Sequence, residues 1–183
     1  MTIQPIARMG ADILKRRAAE VTDFADPALP ALVNDMIETM MSARGIGLAA
    51  PQISVSKRVV IFFVPAERNN GAEIPLTVMV NPVLNPATQN QEDGWEACLS
   101  VPGLIGRVPR WTGLRYSYRN LKGEPIEVEA RDFHARVVQH ECDHLDGILF
   151  PQRMADMTSL AYTDVLTSEA AAAGKKLDLD PEA

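Results

Sequence analysis

The chain has 183 residues, 46% of them apolar and 23% charged, with a formal net charge of -6 and two cysteines. That is the size and composition of one folded domain with a sizeable core. The acidic balance argues against stable nucleic-acid binding, the apolar runs are too short to span a membrane, and two cysteines are too few for a disulfide framework.

The first twenty residues, MTIQPIARMGADILKRRAAE, lack the long apolar run and cleavage signature of a signal peptide. The expected compartment is therefore the cytoplasm, with both thiols reduced. Residues 26–45, DPALPALVNDMIETMMSARG, predict the first helix. Leu29, Leu32, Val33, Met36, Ile37, Met40 and Met41 recur at helical spacing and form one apolar stripe. Asp26 is the expected N-cap, Pro27 suits the first turn, and Gly45 lies just past the end. The following GIGLAAPQ, Gly45 to Gln52, reads as a helix stop leading into a strand. Its glycines permit close approach by another chain, and Gln52 offers an amide donor.

RVVIFFVP and LTVMVNP predict strands, each halted by its proline. GWEACLSVPG places Cys98 between the turn residues Gly94 and Pro102. LRYSYRN, the turn LKGEP and IEVEA predict a hairpin. From Asp132, DFHARVVQHECDHLDG predicts a second helix, capped by Asp132 and ended by Gly147. A third helix is expected from about Asp156 to Gly174. The expected fold is α+β, a single domain over residues 1–174 with antiparallel or mixed strands packed around the second helix. Residues 175–183, KKLDLDPEA, carry three acids against two lysines and form an acidic tail expected to be flexible.

The second helix contains the motif H-E-x-x-H. Residues four apart on a helix lie about 40° apart and one turn along, so His140 and His144 share a face that Glu141 flanks. Two imidazoles and a carboxylate at this spacing suit a hydrolytic metal site. Cys142 points to nearly the opposite side and reads as a small buried hydrophobe. His134 falls on a different face and reads as a structural histidine. The third donor stays open on these grounds. Extending the motif by the metzincin spacing reaches Phe150, which is no ligand. Asp164 and Glu169 lie 20 and 25 residues past His144 and would give a metallopeptidase. Cys98 would supply a thiolate, or be a buried structural thiol.

Taken together, GIGLAAPQ, EACLS and QHECDHL resemble, in the same order, the motifs G-x-G-L-A-A-P-Q, E-G-C-L-S and Q-H-E-x-D-H-L of the peptide deformylase family. The likeness runs from the N-terminus to about Met154. It implies removal of the formyl group from the formyl-methionine of nascent polypeptides. It also implies Cys98, His140 and His144 as metal ligands, Glu141 as general base, and Gln52 with the Leu99 backbone N–H as oxyanion donors. The implied metal is Fe(2+), with Zn(2+), Ni(2+) or Co(2+) as substitutes. Ile46, Gly47 and Ala97 would contact the peptide backbone, and Phe133 and Val137 would line the methionine pocket. Glu96 and Arg110 would either pair to brace the cysteine loop or stand as ordinary surface charges.

One residue departs from the pattern: Ala97 stands where the family has glycine. An inactive metal-binding relative is a further alternative, against which Glu141 and Gln52 speak. Ribosome contact is expected to be transient. It is not expected to use the C-terminal segment, because from Asp156 onward six acids face two lysines.

Overall fold

The computed structural model describes residues 2–172. Helix α1 spans Ala28–Ser42. Asp26 Oδ1 accepts the Ala28 N–H at 2.9 Å, the capping role expected of it. Leu29, Val33, Met36 and Met40 are buried, whereas Met41 is 60% exposed and leaves the stripe. The left-handed residue after the helix is Arg44, with φ +57, rather than Gly45. Gly45 instead allows a close approach: a Cβ there would come within 2.8 Å of the Leu99 side chain, which would have to shift.

Two antiparallel sheets follow. The first has five strands in the order β1-β2-β3-β6-β7, with β1 at Gly47–Ala49, β2 at Val59–Val64, β3 at Ile74–Pro86, β6 at Gly113–Arg119 and β7 at Pro125–Arg131. The second has the order β4-β5-β8, with β4 at Gln91–Ala97, β5 at Leu104–Trp111 and β8 at Ala161–Tyr162. Pro65 does end β2, but β3 runs past Pro82 to Pro86. A register shift between Val80 and Val83 absorbs the proline. There Asn81 takes φ +51, accepting the Val21 N–H and donating its Nδ2 to the Val21 carbonyl. Strands β4 and β5 have weak sequence signals, because β4 is polar with its first three residues exposed and β5 contains Pro109. The β6–β7 hairpin forms as expected.

Helix α2, Asp132–Leu145, is central and packs on β1, β2, β5 and β7. Asp132 begins it with φ +51, but its carboxylate makes no capping bond. Gly147 closes it with φ +73, and a Cβ there would strike the backbone of Lys15 and Arg16. The expected third helix is interrupted. A short 3-10 turn at Met157–Ser159 and β8 come first, and α3 begins at Thr163 and spans Thr163–Ala172 among the described residues. Pairing of β8 with β5 takes those residues away from the helix. The segment expected to be a flexible tail, residues 175–183, lies outside the described residues. Among the described residues, no helix is long and apolar enough to cross a membrane.

Candidate metal centre

Three segments distant in sequence converge on one face of α2. The short turn Ala50–Ile53 after β1 presents Gln52, the chain leaving β4 presents Cys98, and α2 presents His140, Glu141 and His144. The donor atoms of Cys98, His140 and His144 lie within 4.8 Å of one another. Cys98 Sγ is 3.4 Å from His144 Nε2, and the two imidazoles stand edge to face with centroids 5.1 Å apart. The N-terminal segment helps hold the loops: the Ala7 N–H donates to the Gln52 carbonyl and the Met9 N–H to that of Ser100, both at 2.7 Å.

The surroundings orient each group. Ala49 N–H donates to Gln52 Oε1 at 2.8 Å, which turns Nε2 towards Ser100 Oγ at 3.2 Å and Cys98 Sγ at 3.7 Å. The Ser100 N–H also faces the sulfur, at 3.4 Å. Glu96 Oε2 is 2.9 Å from His140 Nδ1, leaving the other ring nitrogen for the donor group. Glu96 is buried and receives Arg110 through two N–H bonds and Arg136 through a third. The ion pair is therefore formed and interior.

Electrostatics follow from this packing. Burial pushes the Glu96 carboxyl upward, but Arg110 outweighs it and holds the group well below the usual carboxylate range. Burial works to lower His140, yet hydrogen bonds with Cys98 and Glu96 hold it above the ordinary histidine range. His144 is pushed down by burial, with His140 adding to the effect. Burial also raises the Glu141 carboxyl to about 7. Among the described residues, two buried side-chain polar atoms have no hydrogen-bond partner, Glu141 Oε2 and His144 Nδ1. A thiol, two imidazoles and an unsatisfied carboxylate oxygen fit a four-coordinate divalent ion with water in the remaining position.

Of the sequence-predicted residues, Gln52, Cys98, Leu99, His140 and Glu141 line one pocket. Ile46, Gly47, Ala97, Phe133 and Val137 line it as well, and His144 lies almost wholly buried beside it. Gly47 has no room for a side chain, since a Cβ would collide with the Glu141 carboxylate. Ala97 pairs with Ile105 as ordinary strand and is not among the positive-φ residues. Cys142 packs in the core, and burial raises its thiol. His134 is also interior, bonded to the Tyr116 hydroxyl at 3.1 Å. Phe150 is buried near Cys98. Asp164 and Glu169 are exposed on α3 and do not join the donor group.

Arg68, Trp95 and Arg136 also line the pocket and were not singled out in the sequence. Arg136 precedes His140 by four residues, a helical spacing that could have revealed it.

This α+β domain, with its thiol, imidazole pair and adjoining buried carboxylate, has the make-up of a metal-dependent hydrolase. The polypeptide deformylase family model matches residues 3–159. Peptide deformylase 2 of Ralstonia nicotianae is 52% identical over 171 residues, covering 91% of this chain and 96% of the relative. Peptide deformylase 1 of Nitrosomonas europaea is 51% identical over 166 residues, covering 90% and 94%. Among solved structures, the Met-Ala-Ser-bound class I type b peptide deformylase of Acinetobacter baumannii aligns with TM-score 0.78 and 41% identity, covering 84% of this chain and 99% of that one. The Thermotoga maritima peptide deformylase aligns with TM-score 0.76 and 33% identity, covering 85% and 100%. The chain belongs to the polypeptide deformylase family.

Proposed function

We infer that this chain hydrolyses the N-formyl group from the N-terminal formyl-methionine of nascent polypeptides, releasing formate, and does so at the Cys98 pocket. The observation that carries the site assignment is the Cys98–His140–His144 donor group beside Glu141. These three residues would hold one divalent metal. Family resemblance favours Fe(2+), and the same donors accommodate Zn(2+), Ni(2+) or Co(2+). A bound divalent ion supplies Lewis-acid polarisation and lowers the pKa of water.

The protein groups supply the rest of the chemistry. Glu141, with its unpartnered Oε2, takes the proton of the attacking water and returns it to the leaving amine. A carboxyl poised near neutrality can do both, and a cation nearby would draw it lower. Attack on the formyl carbon puts negative charge on its oxygen. Gln52 Nε2 and the Leu99 backbone N–H stabilise that charge. Gln52 arrives already oriented by Ala49, so little reorganisation accompanies the step.

Strands β1 and β4 are each at the edge of their sheets, and residues of both line the pocket. An extended peptide can add to such edges, with Ile46, Gly47 and Ala97 making backbone contacts. Phe133 and Val137 would then receive the methionine side chain. The cytoplasm is the proposed compartment and ribosome contact is transient. Six acids against two lysines from Asp156 onward speak against docking through that end.

The test is formate release from formyl-Met-Ala-Ser by anaerobically prepared protein of measured metal content. Wild type should turn over and Glu141→Gln should retain metal but lose nearly all activity. No formate from the metal-loaded wild type would overturn the activity. Substantial turnover by the variant would overturn the role of Glu141.

A further inference from the structure

A second cavity, of about 450 Å³, lies on the other side of α2 and is bounded also by β3 and β5. Arg17, Arg58, Arg110 and Arg153 face it together with Asp143 and Asp146. Each aspartate is shared by two arginines. Asp146 Oδ1 accepts from Nη1 of both Arg17 and Arg58 at 2.8 Å. Asp143 accepts from Arg110 at 2.6 Å and from Arg153 at 2.7 and 3.1 Å.

One carboxylate cannot neutralise two guanidiniums. Arg110 has a second acid in Glu96, but Arg136 shares that one too, so a positive charge is left over. Among the described residues, Arg17 also has Glu20 at 4.0 Å, an exposed pair that solvent screens. Four guanidiniums against two carboxylates thus line one cavity in a chain whose net charge is -6. Arg58 adds a directional reason. Its side chain is only 7% exposed, and its protein partners, Asp146 and the Leu145 carbonyl, are both reached through Nη1. Among the described residues, Nε and Nη2 of this cavity-lining guanidinium have no hydrogen-bond partner and remain as donors.

We propose that this cavity binds a small dianionic oxyanion such as phosphate, held between the Arg17–Asp146–Arg58 and Arg110–Asp143–Arg153 clusters. A planar guanidinium matches two oxygens of such an anion, and a divalent charge complements four lining guanidiniums set against two lining carboxylates. The site is separate from the donor pocket and does not depend on the reaction assigned there.

The chain's two tryptophans distinguish the cavities, because Trp111 lines this one and Trp95 the donor pocket. The experiment is a titration of zinc-loaded protein with inorganic phosphate at constant ionic strength, following both indole N–H signals, with chloride and formate as control anions. The signals are assigned with Trp95→Phe. Phosphate should shift Trp111 saturably and raise the melting temperature, with chloride and formate doing neither. Arg17→Gln combined with Arg153→Gln should weaken binding about tenfold or more. Both residues are on the rim, 64% and 46% exposed, and each aspartate keeps its buried arginine, so the fold is retained. A response of Trp95 alone, an equal response to chloride, or undiminished affinity in the double variant would overturn the proposal.

Discussion

Glu96 Oε2 lies 2.9 Å from His140 Nδ1, while Arg110 grips both oxygens of the same carboxylate. This contact fixes the ring orientation of one proposed metal ligand from a residue that does not belong to the donor group. Glu96→Gln preserves shape but removes the charge and weakens the grip of Arg110. Metal affinity should fall about 10- to 100-fold, with activity at saturating metal falling less. Competition with a chelator measures the first quantity. Unchanged affinity would show that Glu96 braces the loop without tuning His140.

The two cysteines should separate cleanly. Cys98 faces both histidines, whereas Cys142 is buried in the core cluster. Cys98→Ala should abolish stoichiometric metal binding. Cys142→Ala should retain it, at a stability cost of about 1 kcal/mol for the lost packing. Metal analysis after gel filtration decides the first point, and urea unfolding the second. Full metal content in Cys98→Ala would remove this residue from the donor set.

Gln52→Ala removes an oriented amide while leaving all three donors in place. A transition-state donor is worth about 3 kcal/mol, so kcat should fall by about two orders of magnitude. Binding of a product peptide such as Met-Ala-Ser should change much less. Equal losses in turnover and product binding would make Gln52 a substrate-positioning group only.

His134 gives a pH dependence of stability away from the donor group. Burial holds its folded-state pKa below the ordinary 6.5, so the unfolded chain takes up the proton first. Its contribution is therefore fully present above pH 6.5 and is lost as pH falls from there through the lowered folded value. His134→Gln should be less stable at neutral pH, since it loses the contact with Tyr116, but should lose less on further acidification. Urea midpoints between pH 7.5 and 5 for both proteins test this. Parallel curves would assign the acid sensitivity to other groups.

Ala97 occupies regular strand opposite Ile105 and needs no glycine geometry. Ala97→Gly should cost about 0.5–1 kcal/mol of stability and leave kcat/KM within about tenfold. A larger fall in activity would show that the pocket is built around the alanine methyl.

The sequence by itself determined the local elements with strong periodicity or punctuation. Helix α1, the β6–β7 hairpin and α2 could be read this way, as could the common face of His140 and His144, because helical rotation alone fixes it. Spacing could not choose among Cys98, Asp164 and Glu169, and a family likeness pointed to Cys98. Only the tertiary structure decided which groups meet, since the packing of α2 against two sheets brings Gln52, 46 residues before Cys98, to its sulfur. It also decided that β3 crosses Pro82, because Asn81 bonds to Val21 at a distant point of the chain. Likewise, β8 replaced the start of the expected third helix because β5 offered it a strand partner. Periodicity records a residue's neighbours along one element. Bulges, edge pairings and converging donors depend on contacts between elements, whose stabilisation appears only after the chain has packed.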